Sequence, residues 1–269
     1  MKYYTLEEIL HLRGGLLFTP LVFLQSLSVI FLRNFKKSIS YYKIMPGREI
    51  PLITNEYYHI LNRGVASLPT FVSRYDFRRA VEIANYYQYQ NIPGRYSLFT
   101  KLSSKGRKEI LKELKVKNKV WVEIIAYCFM PNHFHFLLKQ REENGISKFM
   151  GNFTNSYTRY FNTRNKRKGP LFQGKFKAVR VIAEEQLLHL SRYIHLNPYT
   201  SFVIKELDKL EDYTYSSLPE YLGKVSPEFC SKEIILNQFA SKRKYLNFVL
   251  NQARYQRELE EIKHLALEY

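Results

Sequence analysis

Cysteine is nearly missing from this chain, with two residues, Cys128 and Cys230, in 269. Two are too few for a disulfide framework, and no Cys/His cluster has the spacing of a zinc site. Cys128 lies in an apolar run, where a thiol behaves as a small hydrophobe, so a reducing, cytoplasmic setting is expected. Acidic residues are scarce as well: 24 Asp and Glu against 42 Lys and Arg, a formal net charge of +18. Such a surplus points to a polyanionic partner, most simply nucleic acid. Tryptophan occurs once, although aromatics reach 16% through 22 Tyr and 19 Phe. No internal repeat and no low-complexity segment breaks the chain. What is plentiful is apolar side chain, 45%, enough for one good-sized core or two small ones.

The first 44 residues differ from the rest. Gly14 to Leu32 is a run of 19 residues without a formal charge, near bilayer-spanning length. Pro20, Gln25 and several Ser/Thr weaken that reading, and no small-residue cleavage motif marks a signal peptide. A membrane anchor, a hydrophobic helix docked on the domain, and an extension upstream of a true start at Met45 all stand open. The third is preferred, so a membrane is not an expected partner. The expected division is a hydrophobic extension over 1–44, one domain over 45–222, and a helical accessory region over 223–269.

Beyond Met45 the pattern alternates. Residues 53–64 read as a strand ending in an Asn-Arg-Gly turn, and 75–90 have helical spacing. Residues 93–119 are polar and lysine-rich and read as a loop with a short helix. Val120 to Met130 is a β-branched and aromatic strand, and Pro131-Asn132 turns it into a second. Gly145 to Asn162 places Ile146, Phe149, Met150, Phe153, Tyr157, Tyr160 and Phe161 on one helical face. Ala178–Ile182 is a short strand, and Glu184–Asn197 a helix stopped by Pro198. The order β, α, β, β, α, β plus a helix predicts an α+β, ferredoxin-like antiparallel sheet with helices on one face and an extra C-terminal helix.

Two features stand out chemically. His133 and His135 are two apart on a strand and so share a face; imidazoles so placed form half a coordination sphere for a divalent metal. Two satisfied histidines at a sheet surface remain the plain alternative. The span Lys139–Arg180 that follows holds 11 Lys/Arg against 2 acids. On the last helix, Tyr193 and Asn197 are four apart, on one ridge bordering the stripe Leu187, Leu190, Ile194. That puts the Tyr193 ring half-buried along the helix–sheet seam. His195, two residues on, faces elsewhere and reads as structural; His189, one turn earlier, reads as a bystander.

Met130-Pro-Asn-His-Phe-His135, Leu171-Phe-Gln-Gly-Lys-Phe176 and Tyr193-Ile-His-Leu-Asn-Pro198, in that order, resemble the single-tyrosine HUH transposases, and most nearly their REP-associated tyrosine transposase branch. Tyr58-His-Ile-Leu-Asn-Arg-Gly64 is similar to that family's opening strand. The resemblance runs from about Pro46 to Leu222. It implies a nucleophile at Tyr193 on the extra helix and one Mg²⁺ or Mn²⁺ held by His133, His135 and Asn197, with no small-molecule cofactor. It further implies cleavage and rejoining of single-stranded DNA near hairpins through a covalent 5′-phosphotyrosine. Arg63, Arg167, Lys168, Gln173, Lys175 and Lys177 are the candidate DNA contacts. Phe172 and Phe176 could stack on bases, although core packing is expected of at least one. A homodimer that shares its site stands beside a monomer. The alternatives are a domesticated, non-catalytic hairpin-binding protein on the same fold and a membrane-tethered binding protein.

Overall fold

A computed structural model describes residues 52–226 and 228–258. The uncharged run at 14–32, the expected boundary at Met45 and the end of the tail lie outside the described residues. Four strands build one sheet: β1 (Tyr57–Arg63), β2 (Val122–Met130), β3 (His133–Gln140) and β4 (Lys177–Val181). Their order is β2-β3-β1-β4, and every pair is antiparallel. This is the ferredoxin-like arrangement expected from the order of elements. β2 and β3 form a hairpin whose Met130 and His133 pair across the two-residue Pro131-Asn132 turn.

The helices divide between the two faces. Helix α1 (Arg74–Tyr87), the short α2 (Tyr96–Phe99), α3 (Ser104–Lys117) and α4 (Gly145–Arg164) precede β4. α1 and α4 pack together over one face of the sheet. There Ile60, Phe129, Phe134, Phe136 and Leu138 meet Phe149, Phe153 and Tyr157, with Phe136 and Phe153 edge-to-face at 5.5 Å. Helix α5 (Glu184–Thr200) covers the opposite face, where Leu187, Leu190 and Ile194 pack on Ile125, Ala126, Cys128, Met130 and Leu137. A register shift between Ile124 and Ala126 sends both Ile125 and Ala126 to the α5 side. Both cysteines are buried and unpaired in disulfides, in keeping with Cys128 as a packing residue.

Two boundaries differ from the sequence reading. Residues 104–117 are a full helix rather than mostly loop. Its N-terminus is capped by the Ser103 hydroxyl, which accepts from the Gly106 N–H at 3.1 Å, and Asn118 ends it in the left-handed conformation. Only Leu114 is buried there, so the apolar periodicity that reveals a helix is almost missing. Nor does Pro198 stop α5. The ring forfeits one backbone hydrogen bond, but Ser201 N–H closes the next turn onto the Asn197 carbonyl at 3.0 Å. Pro198 and Tyr199 are buried, and that packing sustains the helix.

Three short helices follow: α6 (Leu218–Tyr221), α7 (Glu233–Leu236) and α8 (Lys242–Leu250). α8 delivers Tyr245 and Val249 against α5. His195 is fully buried in that contact, its Nδ1 2.7 Å from the Tyr245 hydroxyl and its Nε2 2.7 Å from Ser217 Oγ. It is structural, as the sequence suggested. Burial pushes its pKa down from 6.5 to about 3. The unfolded chain therefore takes up a proton on this ring, as pH falls below 6.5, that the folded chain refuses. The stabilisation is fully present above pH 6.5 and is lost on acidification, by roughly 2.5 kcal/mol near pH 4.5. The thermal midpoint, followed by circular dichroism, should fall accordingly. His195→Gln, which keeps a donor and an acceptor, should reduce that slope, to which the buried His59 and His135 also contribute; an unchanged slope would refute the assignment.

Candidate functional site

The α5-facing side of the sheet carries the histidines. The strand period places His59, Leu61 and Arg63 of β1 on it, beside His133, His135 and Leu137 of β3; Arg63 pairs with His133, and Leu61 with His135. The two β3 rings meet edge-on with centroids 5.0 Å apart. His133 Nδ1 lies 2.6 Å from Asn132 Oδ1. An amide oxygen only accepts, so Nδ1 carries the proton and Nε2 carries the lone pair.

His135 is almost completely buried, and its Nδ1 lies 2.9 Å from His59 Nε2. The two rings stack at 5.1 Å. Burial lowers the pKa of His59 to about 4. Burial also pushes His135 well below its ordinary value, helped by His59, His133 and Arg63. Both imidazoles are therefore neutral at neutral pH, which is the form that ligates metals. His59 was not singled out from the sequence, although strand alternation puts it on the face of Leu61 and Arg63.

Helix α5 brings Tyr193 to this cluster. Its ring stands edge-on to His135 at 5.5 Å and to His59 at 6.1 Å. The side chain is 37% exposed, half in the seam and half open to a substrate. Asn197 follows one turn later and is buried, its Nδ2 donating to the Tyr193 carbonyl at 3.2 Å; its amide oxygen is the candidate donor. His189 lies away on the α8 side, its Nδ1 2.7 Å from Arg192 and its ring 6.0 Å from Phe248.

The candidate DNA contacts separate into groups. The Gln173 N–H donates to the Arg63 carbonyl at 2.8 Å, so the 171–176 segment is tied to the His133 end of β1. Lys175 and Lys177 are exposed beyond it, and Lys177 pairs with Leu61. Arg167 is occupied by its own loop, bonding Asn162 Oδ1 and the Gly169 and Pro170 carbonyls. Lys168 is exposed beside it. Phe172 is buried against Phe71, Phe134 and Tyr157, which makes it a core residue rather than a stacking platform. Among the described residues no group of three or more His, Cys, Asp or Glu is arranged to hold a metal ion. A metal here would rest on two imidazoles and an amide oxygen, a donor set that fits a divalent ion with open positions.

Fold and site together define an α+β domain in which a strand-borne histidine pair faces a helix-borne tyrosine. Residues 85–197 match the family model described as IS200-like transposase, which bears out the resemblance seen in the motifs. The match takes in His133, His135, Tyr193 and Asn197 and leaves out β1 with His59. No curated protein matches. One solved structure, described as that of the REP-associated tyrosine transposase bound to a REP hairpin, is similar over 67% of this chain and 87% of its own, at 14% identity and a TM-score of 0.42.

Proposed function

We propose that the protein is a metal-dependent single-stranded DNA endonuclease and strand transferase, acting near DNA hairpins through a covalent 5′-phosphotyrosine. The observation that carries this reading is the Tyr193 ring, partly open to solvent and edge-on to His135 at 5.5 Å. In it, Tyr193 Oη attacks a backbone phosphorus, the P–O3′ bond breaks, and the departing strand leaves with a 3′-hydroxyl. A second 3′-hydroxyl attacks the phosphotyrosine, restores the phosphodiester and frees the phenol. One high-energy bond is kept throughout, so no ATP is required.

His133 and His135 would hold the Mg²⁺ or Mn²⁺, with Asn197 Oδ1 as third donor. When bound, the ion supplies positive charge against the phosphate oxygens. With Nδ1–H of His135 donating to His59, both β3 histidines present Nε2 lone pairs to one side. Arg63, Gln173, Lys175 and Lys177 surround that end of the sheet and would position the backbone without reading sequence; Lys168 lies further along.

The test is a labelled library of single-stranded hairpins incubated with Mn²⁺ and resolved on a denaturing gel. A protein–DNA band that survives denaturation and vanishes with chelator is expected. Hairpin binding with no such band at any Mn²⁺ concentration would overturn the catalytic reading in favour of a binding protein on the same fold. His59 gives a separate check. His59→Ala should weaken Mn²⁺ binding about tenfold or more, as loss of outer-shell partners does, and His59→Gln should restore part of it. Unchanged Mn²⁺ affinity by calorimetry would remove His59 from the site.

A further inference from the structure

The hairpin turn that sets His133 is gripped by the loop that follows β1. Residues 64–71 fold back over Pro131-Asn132. The Gly64 N–H donates to the Asn132 carbonyl at 2.8 Å, and the Thr70 and Phe71 N–H groups both donate to the Pro131 carbonyl, at 2.8 and 2.9 Å. Gly64 is needed there for space: a Cβ would run into the Leu68 carbonyl and come within 2.7 Å of Thr70 Cγ2. Ala66 and Ser67 are left-handed, with φ of 54° and 58°, a conformation that residues other than glycine keep only where their surroundings hold it. Here it turns the Ser67 carbonyl toward the Asn132 side chain, whose Nδ2 donates to it at 3.3 Å.

Asn132 therefore has two partners that make opposite demands. Its Oδ1 accepts from His133 Nδ1 at 2.6 Å, while its Nδ2 faces a carbonyl that can only accept. A carboxamide turned half round would put its –NH₂ against His133. The imidazole would then have to present the Nδ1 lone pair and carry its proton on Nε2. In that tautomer Nε2 has no lone pair for a metal. The Ser67 carbonyl excludes the turned amide, because two acceptors would then face each other. Dependence thus runs from backbone to ring: Ser67 carbonyl, Asn132 amide, His133 tautomer, Nε2 lone pair.

We infer that Asn132 is a positioning residue for His133, and that the 64–71 loop fixes the sense of its amide, so that the lone pair is kept on Nε2. The inference rests on His133 ligating a divalent ion in the proposed reaction. Asn132 touches neither substrate nor ion in it. It acts through the ring, as outer-shell partners of metal-bound imidazoles do. A carboxylate in its place has no wrong way round, since both oxygens accept. That difference separates the two halves of the inference.

The experiment combines Mn²⁺ calorimetry with nitrogen-15 spectra of the histidine rings, recorded on the metal-free full chain at neutral pH. The His133 ring signals are identified by their loss in His133→Ala. The native chain should show His133 protonated on Nδ1. Asn132→Ala should bind Mn²⁺ about tenfold more weakly or worse and show His133 as a mixture of the two tautomers. Asn132→Asp should restore both the Nδ1–H form and the affinity. Ser67→Pro alters an exposed residue, but proline cannot adopt a φ of 58° and lacks the N–H that donates to the Gly64 carbonyl at 3.0 Å. It should produce part of the Asn132→Ala loss, and adding Asn132→Asp to it should abolish that loss. An unchanged tautomer or an unchanged affinity in Asn132→Ala, or failure of Asn132→Asp to restore them, would overturn the positioning role. Native behaviour in Ser67→Pro would overturn the part given to the loop. A native chain that binds no Mn²⁺ would fail the metal reading instead, and the metal-free spectra would still decide whether Asn132 sets the ring.

Discussion

Tyr193→Phe should bind hairpin DNA as the native chain does and form no covalent adduct at all. The change removes one oxygen and leaves the ring edge-on to His135 and His59. The packing of α5 through Leu187, Leu190 and Ile194 is untouched, and Tyr193 is itself 37% exposed. What disappears is the only group in the proposed reaction able to form the bond to phosphorus. The effect is therefore on chemistry alone, from full adduct to none, on the same denaturing gel. An adduct that persists in the phenylalanine variant would mean that another residue is the nucleophile.

The second large effect is expected at the histidines. His133→Ala should lower cleavage by about a hundredfold or more, the scale on which charge stabilisation of a developing transition state acts. Hairpin affinity measured in chelator should change far less. His133 is the cleaner of the pair, being half-buried at the end of β3 and bonded to the adjacent Asn132. His135→Ala should cost as much catalysis but also stability. It empties a buried position and strips His59 Nε2 of its partner, at about 1–3 kcal/mol for the orphaned nitrogen. A thermal melt separates the two contributions. Mn²⁺ titration by calorimetry supplies the readout independent of turnover, and a His133→Ala protein that binds Mn²⁺ and cleaves normally would end the metal assignment.

Much of this arrangement is written locally. His133 and His135 share a face because the strand period is two, and the Pro131-Asn132 turn fixes where that strand begins. The line through Leu187, Leu190 and Ile194 settles which side of α5 meets the sheet, and with it the seam position of Tyr193. His59 was not legible in the same way. Its partner is 76 positions away, and only the register of β1 against β3 brings them together. Helix α3 escaped because a helix that buries one leucine leaves no stripe to find. Pro198 misled for the converse reason: the local cost of proline is visible in sequence, whereas the burial that outweighs it is not.

The Tyr245 hydroxyl touches both Ser191 Oγ at 3.2 Å and His195 Nδ1 at 2.7 Å, the residues two before and two after Tyr193. Any roll of α5 about its long axis would pull both contacts apart and drag the buried His195 from Ser217. The shaft that carries the phenol is thus pinned on either side of it, like an axle held in a bearing. In the proposed strand transfer, the movement of the hydroxyl would draw first on the two torsions of its own side chain.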